Sequence, residues 1–155
     1  MMPSFITHGI MGYVLFGYQG LIMGIMPDII GLTRYFYNLL FIHKTIDFNK
    51  PPEERAPLDK MDKLDWLLYN ITHSLIIWGL IYILFRKKYI FAAIISIIMD
   101  IFLHSKNIWV GPAFLYPLSD YRFDGIHWYN EGLLISFIIL IIMIYQKKNI
   151  IKIIP

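Results

Sequence analysis

Residues 88–104 read KYIFAAIISIIMDIFLH, an apolar run whose only ionisable groups beyond Lys88 and Tyr89 at its start are Asp100 and His104. A run this oily has few ways to fold: it forms a helix buried in protein or in lipid. Four residues apart, Asp100 and His104 then share one helical face. Ionisable side chains are costly in such surroundings, and they persist where they pair with each other, hold an ion or carry a proton. A metal or proton site is therefore expected here. A buried carboxylate–imidazole pair without metal is the plain alternative.

The rest of the chain agrees with a lipid setting. Of its 155 residues, 57% are hydrophobic and only 16% are charged, too few to coat a soluble core of this size. The expectation is one integral membrane domain over 1–155, with the lipid bilayer as its main partner. There is no cysteine, which excludes disulfide frameworks, thiol nucleophiles and cysteine metal sites. The net charge of +3 does not suggest nucleic acid, because the basic residues form short clusters beside apolar runs, as membrane anchors do. Residues 1–12 contain no Lys or Arg and so lack the charged start of a signal peptide.

Residues 5–26 are apolar but dotted with glycines and end in Pro27-Asp28. They read either as one span of roughly 30 Å or as two short arms of about 12–13 Å turning at Gly17-Tyr18-Gln19-Gly20. Residues 29–43 suit an interfacial or partly buried helix. The segment 44–63, with five basic and five acidic residues and three prolines, reads as an aqueous loop. Spans are expected over 64–85, 89–103 and 133–145, with a second loop over 105–130. Alternation of the last three spans puts Arg86–Lys88 and Lys147–Lys152 on one side, the cytoplasmic side of a cell or inner membrane by the positive-inside rule. No internal repeat, Gly-rich phosphate loop or nucleophile elbow is present.

Ionisable residues outside the aqueous loop and basic clusters are His8, Asp28, Arg34, His43, His73, Asp100, His104, Asp120, Asp124, His127 and Glu131. Imidazole and carboxylate donors without thiolate suit Zn, Mn, Fe or Ni. Each residue has an ordinary reading as well. His8 is interfacial, Asp28 caps a helix after proline, and His73 hydrogen-bonds a carbonyl in a core. His43 and His127 lie at the membrane surface, and Asp120 and Asp124 serve a turn.

His8 followed by glycine, Pro27-Asp28-Ile29, Thr72-His73-Ser74, the helical Asp100 and the segment LYPLS occur in that order. The ordered set resembles the YdjM-like family of membrane-bound metal-dependent hydrolases, whose pattern runs His, PDxD, THS, HxxxD and a wPfs-like segment. The likeness covers residues from His8 to about Ser119. Two positions depart from it: Ile30 replaces the second aspartate of PDxD, and Ser96 replaces the histidine of HxxxD. His104, one turn beyond Asp100 on the same face, is able to supply the lost imidazole, and a subgroup with a second histidine after the aspartate is similar to HSKNIWVGPAFLYPLSDYRFDG.

The resemblance implies an all-α, polytopic membrane helical bundle of about four to five helices, with an N-terminal pair of short helices folded back at 17–20. It implies a divalent metal, zinc first, with Mn, Fe or Ni as alternatives, held by His8, Asp28, His73, Asp100 and His104. The expected chemistry is metal-activated water attacking an ester or phosphoester of a small or lipid-like substrate. Asp100 would act as base, and Ser74 and Asn70 would orient the groups around His73. Two other classes use the same residues. A proton- or ion-coupled carrier would use them as a relay, and a non-catalytic scaffold would use them to hold helices together. Oligomeric state has no signal in the sequence.

Overall fold

The computed structural model describes residues 2–46, 49, 58–104 and 111–126, plus four isolated helical positions, 139, 141, 142 and 144. The span expected over 133–145 otherwise lies outside the described residues, as do His127, Glu131 and Lys147–Lys152. Every regular element described is helical, with no strand among the described residues. The α-helices are α1 (Met2–Tyr37), α2 (Lys63–Thr72), α3 (Leu75–Phe85) and α4 (Phe91–Leu103). A π-helical turn over Asn38–His43 ends α1, and 3₁₀ turns occupy Leu58–Lys60 and Lys88–Ile90.

Helix α1 is a hairpin. At Gly17 the backbone takes φ 68° and ψ −152°, a combination that only glycine adopts readily. The arms return antiparallel and so close that a Cβ on Gly12 would collide with the Gly20 carbonyl, and the reverse. A Cβ on Gly24 would come within 2.5 Å of the His8 carbonyl oxygen. Between the two readings of residues 5–26, the folded-back one describes this chain. The second arm continues through Pro27 and Asp28, so the turn or helix cap that Pro-Asp suggests does not occur. Proline there only removes one internal N–H, a loss that apolar helices tolerate when neighbours pack around it.

Helices α2 and α3 are one apolar stretch bent by 50° at His73-Ser74, where an unbroken span was expected. Hydropathy registers only oiliness, whereas the break is set by local hydrogen bonds. Ser74 is the N-cap of α3 and its Oγ accepts from the Ile77 N–H. The Leu75 N–H reaches across to the Phe114 carbonyl, and the Trp78 indole N–H donates to the freed Thr72 carbonyl at 2.6 Å. The polar groups exposed by the bend are thereby satisfied without water.

At its other end α2 begins with a capping box. Asp62 accepts from the Leu64 and Asp65 amides, and the Asp65 side chain accepts from the Asp62 amide. Arg34, from the second arm of α1, bridges both carboxylates, meeting Asp62 at 2.7 Å and the fully buried Asp65 at 2.5 Å. This ties α1 to α2 above a cluster formed by Leu32, Tyr35, Leu39, Met61 and Tyr69. A second cluster, Trp78, Ile90, Ala93, Ile97 and Ile101, joins α3 to α4, with Met23 and Met26 of α1 packed against it. Met11 meets Met99 and Leu103 in a third. The irregular segment 111–126 then closes over the end of α4, where the Gly125 and Ile126 amides donate to the His104 and Phe102 carbonyls.

By length and composition, one helical stretch, Phe5–His43, is apolar enough to cross a membrane, and the bent α2–α3 pair would make a second. The outer surfaces are apolar too: Ile6, Ile10 and Ile22 on the hairpin and Leu80, Ile83 and Leu84 on α3 are all exposed.

Candidate metal centre

Three helical elements deliver their ionisable residues to one point. His8 comes from the first arm of α1, Asp28 from the second, His73 from the α2–α3 break and Asp100 from α4. The hairpin is what lets His8 and Asp28 meet, and their Nδ1–Oδ2 distance is 3.3 Å. The other ring nitrogen of His8, Nε2, lies 3.3 Å from Asp100 Oδ1. His73 Nε2 lies 3.1 Å from Asp28 Oδ1 and 3.8 Å from Asp100 Oδ2. His8, His73 and Asp100 are buried, and Asp28 is only slightly exposed.

His73 is aimed by its surroundings. Its Nδ1 lies 3.0 Å from the Tyr69 carbonyl oxygen, which can only accept, so Nδ1 carries the proton and Nε2 presents a lone pair. Thr72 Oγ1 sits beside the same nitrogen, and the Tyr69 ring stacks on the imidazole at 4.2 Å. An N–H held by a backbone carbonyl, with the opposite nitrogen free, is how proteins orient histidine ligands. Gly31, one turn past Asp28, makes the approach feasible. A Cβ there would run into Thr72 Oγ1 and stand 3.3 Å from the His73 ring.

These contacts leave an electrostatic conflict. A neutral imidazole has one N–H, yet both nitrogens of His8 face carboxylates, and the Nε2 lone pair of His73 faces two. Lone pair against carboxylate is repulsive in a dry interior unless positive charge lies between them. A divalent cation fits, since two carboxylates balance its charge and the imidazoles complete a ligand set. Two ligands at about 2.0–2.1 Å from one tetrahedral ion lie roughly 3.3 Å apart. With one ring nitrogen taken from each histidine, the His8 Nε2–Asp100 and His73 Nε2–Asp28 distances of 3.3 and 3.1 Å lie close to that value. One donor atom each from His8, Asp28 and Asp100 fall within 4.8 Å of one another, making these three a group able to hold a metal ion.

The remaining residues singled out in the sequence are arranged differently. His104 joins the cluster through Asp100 alone among the contacts described. It is the first residue past α4, with Nδ1 at 2.8 Å from the Asp100 carbonyl and 3.5 Å from Asp100 Oδ1. Ser96 lies one turn before Asp100, buried, with its hydroxyl on the Ala92 carbonyl and its oxygen near Gly24. Ser74 donates to the Tyr116 carbonyl while capping α3, so its hydroxyl ties the 111–126 segment to the helix break. Asn70 accepts from Arg122 at 2.7 Å. His43 is exposed at the end of the π-helical turn, and Asp120 and Asp124 are exposed in the irregular segment. Gly31 and Arg122 carried no weight in the sequence. Gly31 leaves no signal without a structure, and Arg122 sits in SDYRFDG, which reads as a turn.

No family model, no curated protein and no solved structure matches this chain.

Proposed function

We propose that this chain is a membrane-embedded, metal-dependent hydrolase acting on an ester or phosphoester, with His8, Asp28, His73 and Asp100 as the metal-binding set and His104 at its margin. The observation that carries the reading is the facing of imidazole lone pairs and carboxylates in one buried cluster, an arrangement that calls for a cation. A bound divalent ion, zinc first, would supply a Lewis acid and raise the acidity of a bound water, so that it would ionise near neutral pH. The protein's own part is positional. Tyr69 and Thr72 hold His73 in one tautomer, the hairpin holds His8 against Asp28, and Asp100 would accept a proton from the attacking water. Ser74 and Asn70 support the walls: Ser74 anchors the bend that presents His73, and Asn70 anchors Arg122.

The membrane setting rests on exposed apolar faces and on distances along the helices. Gly17 lies about 16 Å along the second arm from Asp28, and Arg34 about 9 Å beyond Asp28 on the other side. The total is close to the roughly 30 Å of a bilayer core. Arg34 and Asp62 would lie at one interface, with the hairpin apex and Arg86–Lys88 at the other, cytoplasmic one. Contiguous apolar surface of the kind presented by Leu80, Ile83, Leu84 and Phe85 is rare on soluble monomers. A substrate reaching such a site is small or lipid-like.

A proton-coupled carrier is the second reading, favoured by the same conflict, since extra protons on His8 and His73 would also resolve it. Turnover separates the two. Zinc-loaded, detergent-solubilised protein should hydrolyse a chromogenic phosphomonoester, phosphodiester or carboxylic ester, and Asp100→Asn should lower the rate at least a hundredfold. No tightly bound zinc and no hydrolysis across that panel, combined with proton uptake into liposomes, would favour the carrier.

A further inference from the structure

Arg122 is held by neutral groups that neighbour the candidate metal centre in the chain or in space. Its Nη1 donates to the Gly111 carbonyl at 2.6 Å and its Nη2 to Asn70 Oδ1 at 2.7 Å. The guanidinium lies over the Trp66 ring, 5.0 Å from its centroid. Both anchors adjoin the cluster. Asn70 lies on α2 three residues before His73, the residue that caps that helix, so the two are neighbours along its last turn. Gly111 lies beside His104, its Cβ direction ending 3.6 Å from the His104 Cβ.

Two features distinguish this arginine from a structural one. Arg34 is neutralised by Asp62 and Asp65, whereas among the described residues no carboxylate lies within ion-pair distance of Arg122. Burial pushes its guanidinium below the usual range, against weaker opposing contributions from Tyr69 and Asp120. An unneutralised, half-buried cation is costly to keep beside a site built for a metal ion, unless an anion joins it. The guanidinium also has five N–H donors in a fixed fork, of which these bonds use two. Asparagine at 70 fixes the fork without discharging it.

The geometry points to Arg122 as the substrate-binding residue of this site, its free N–H groups taking two oxygens of a phosphate group and so selecting phosphoesters over neutral esters. The inference rests on the hydrolase reading of the neighbouring cluster. Arginine is the side chain suited to such two-point contact with phosphate, and lysine keeps the charge but loses the fork.

Asn70→Asp is the sharpest test, because it changes one atom type and gives Arg122 an internal carboxylate. A purely structural Arg122 would be held better by the new charge, whereas an anion-binding Arg122 would be blocked. Inorganic phosphate is titrated calorimetrically into the zinc-loaded full chain in detergent, for wild type, Asn70→Asp, Arg122→Lys and Arg122→Gln, with zinc content as the check that each variant is folded. The expected result is phosphate affinity at least tenfold weaker in Asn70→Asp and Arg122→Gln, with Arg122→Lys in between and zinc content unchanged. Equal phosphate affinity in wild type and Asn70→Asp, both zinc-loaded, would overturn the assignment while leaving the hydrolase reading standing. Phosphate binding that Asn70→Asp removes, in a protein that takes up no zinc, would support Arg122 as an anion site and sink the hydrolase reading. No phosphate binding by wild type overturns the assignment outright.

Discussion

At the scale of single residues, the site depends on what is missing as much as on its donors. Gly31 has no side chain, and that absence lets the end of α2 settle on α1 with His73 aimed at Asp28. Gly31→Ala would push on Thr72 and the His73 ring together. Overpacking of this kind costs about 1–3 kcal/mol, and here it also swings Nε2 away from both carboxylates. The variant should therefore show a lower thermal midpoint and at least tenfold weaker zinc binding. Zinc affinity equal to wild type would mean that His73 is not positioned through this contact. Asp100 and His104 were legible beforehand because their four-residue spacing in an oily run is a local signal. Gly31 was not, since its effect appears only when a second helix arrives. Arg122 and Asn70 are 52 residues apart in sequence and meet only through the closing segment.

At the scale of elements, two breaks in helical stretches make the centre. The hairpin at Gly17 is one of two readings of an apolar, glycine-dotted segment, and length alone favours a single span. The resemblance in motif order favoured the hairpin, and the Gly12–Gly20 approach is its physical cause. The break at His73-Ser74 was not legible, because Ser74 and Trp78 look like ordinary residues of an oily run until their caps are seen. The start of α2 carries a pH-dependent contact as well. The Arg34 guanidinium, with help from backbone amides, holds the Asp62 carboxyl down to about 2 from its ordinary 3.8. A carboxyl with a depressed folded-state value stabilises the fold fully above its unfolded value, and that contribution is lost as pH falls through the folded one. The thermal midpoint of wild type should therefore decline between about pH 4 and pH 2 more steeply than that of Asp62→Asn. Parallel declines would show that the Arg34–Asp62 contact contributes nothing in solution. Asp62 is exposed, so the difference should be modest and shrink at high salt.

At the scale of the whole molecule, the arrangement fixes which ends lie together. Gly24 sits beside Ser96 and Asp28 beside Asp100, so the second arm of α1 runs parallel to α4. The hairpin apex is then level with Lys88–Ile90, and α1 packs against that turn. The cysteine-free sequence makes this directly testable. In sealed membrane vesicles, Tyr18→Cys and Lys87→Cys should react with an impermeant maleimide from the same side, and Asp59→Cys from the opposite side. Tyr18→Cys reacting together with Asp59→Cys would contradict the folded-back first segment. In the sequence the basic clusters and the polar loop carry the expectation of two sides, and the register of α1 against α4 supplies which of them the apex would share.

The central claim is that His8, Asp28, His73 and Asp100 form a metal centre, and elemental analysis of the detergent-purified chain tests it most directly. Wild type, Asp100→Ala and His73→Ala should be measured side by side, after loading with zinc and removal of the excess. The account predicts near-stoichiometric metal in wild type and its loss in both variants, each of which should still run as a monodisperse, helical protein. Wild type without bound metal after loading, or variants that keep it, would contradict the account.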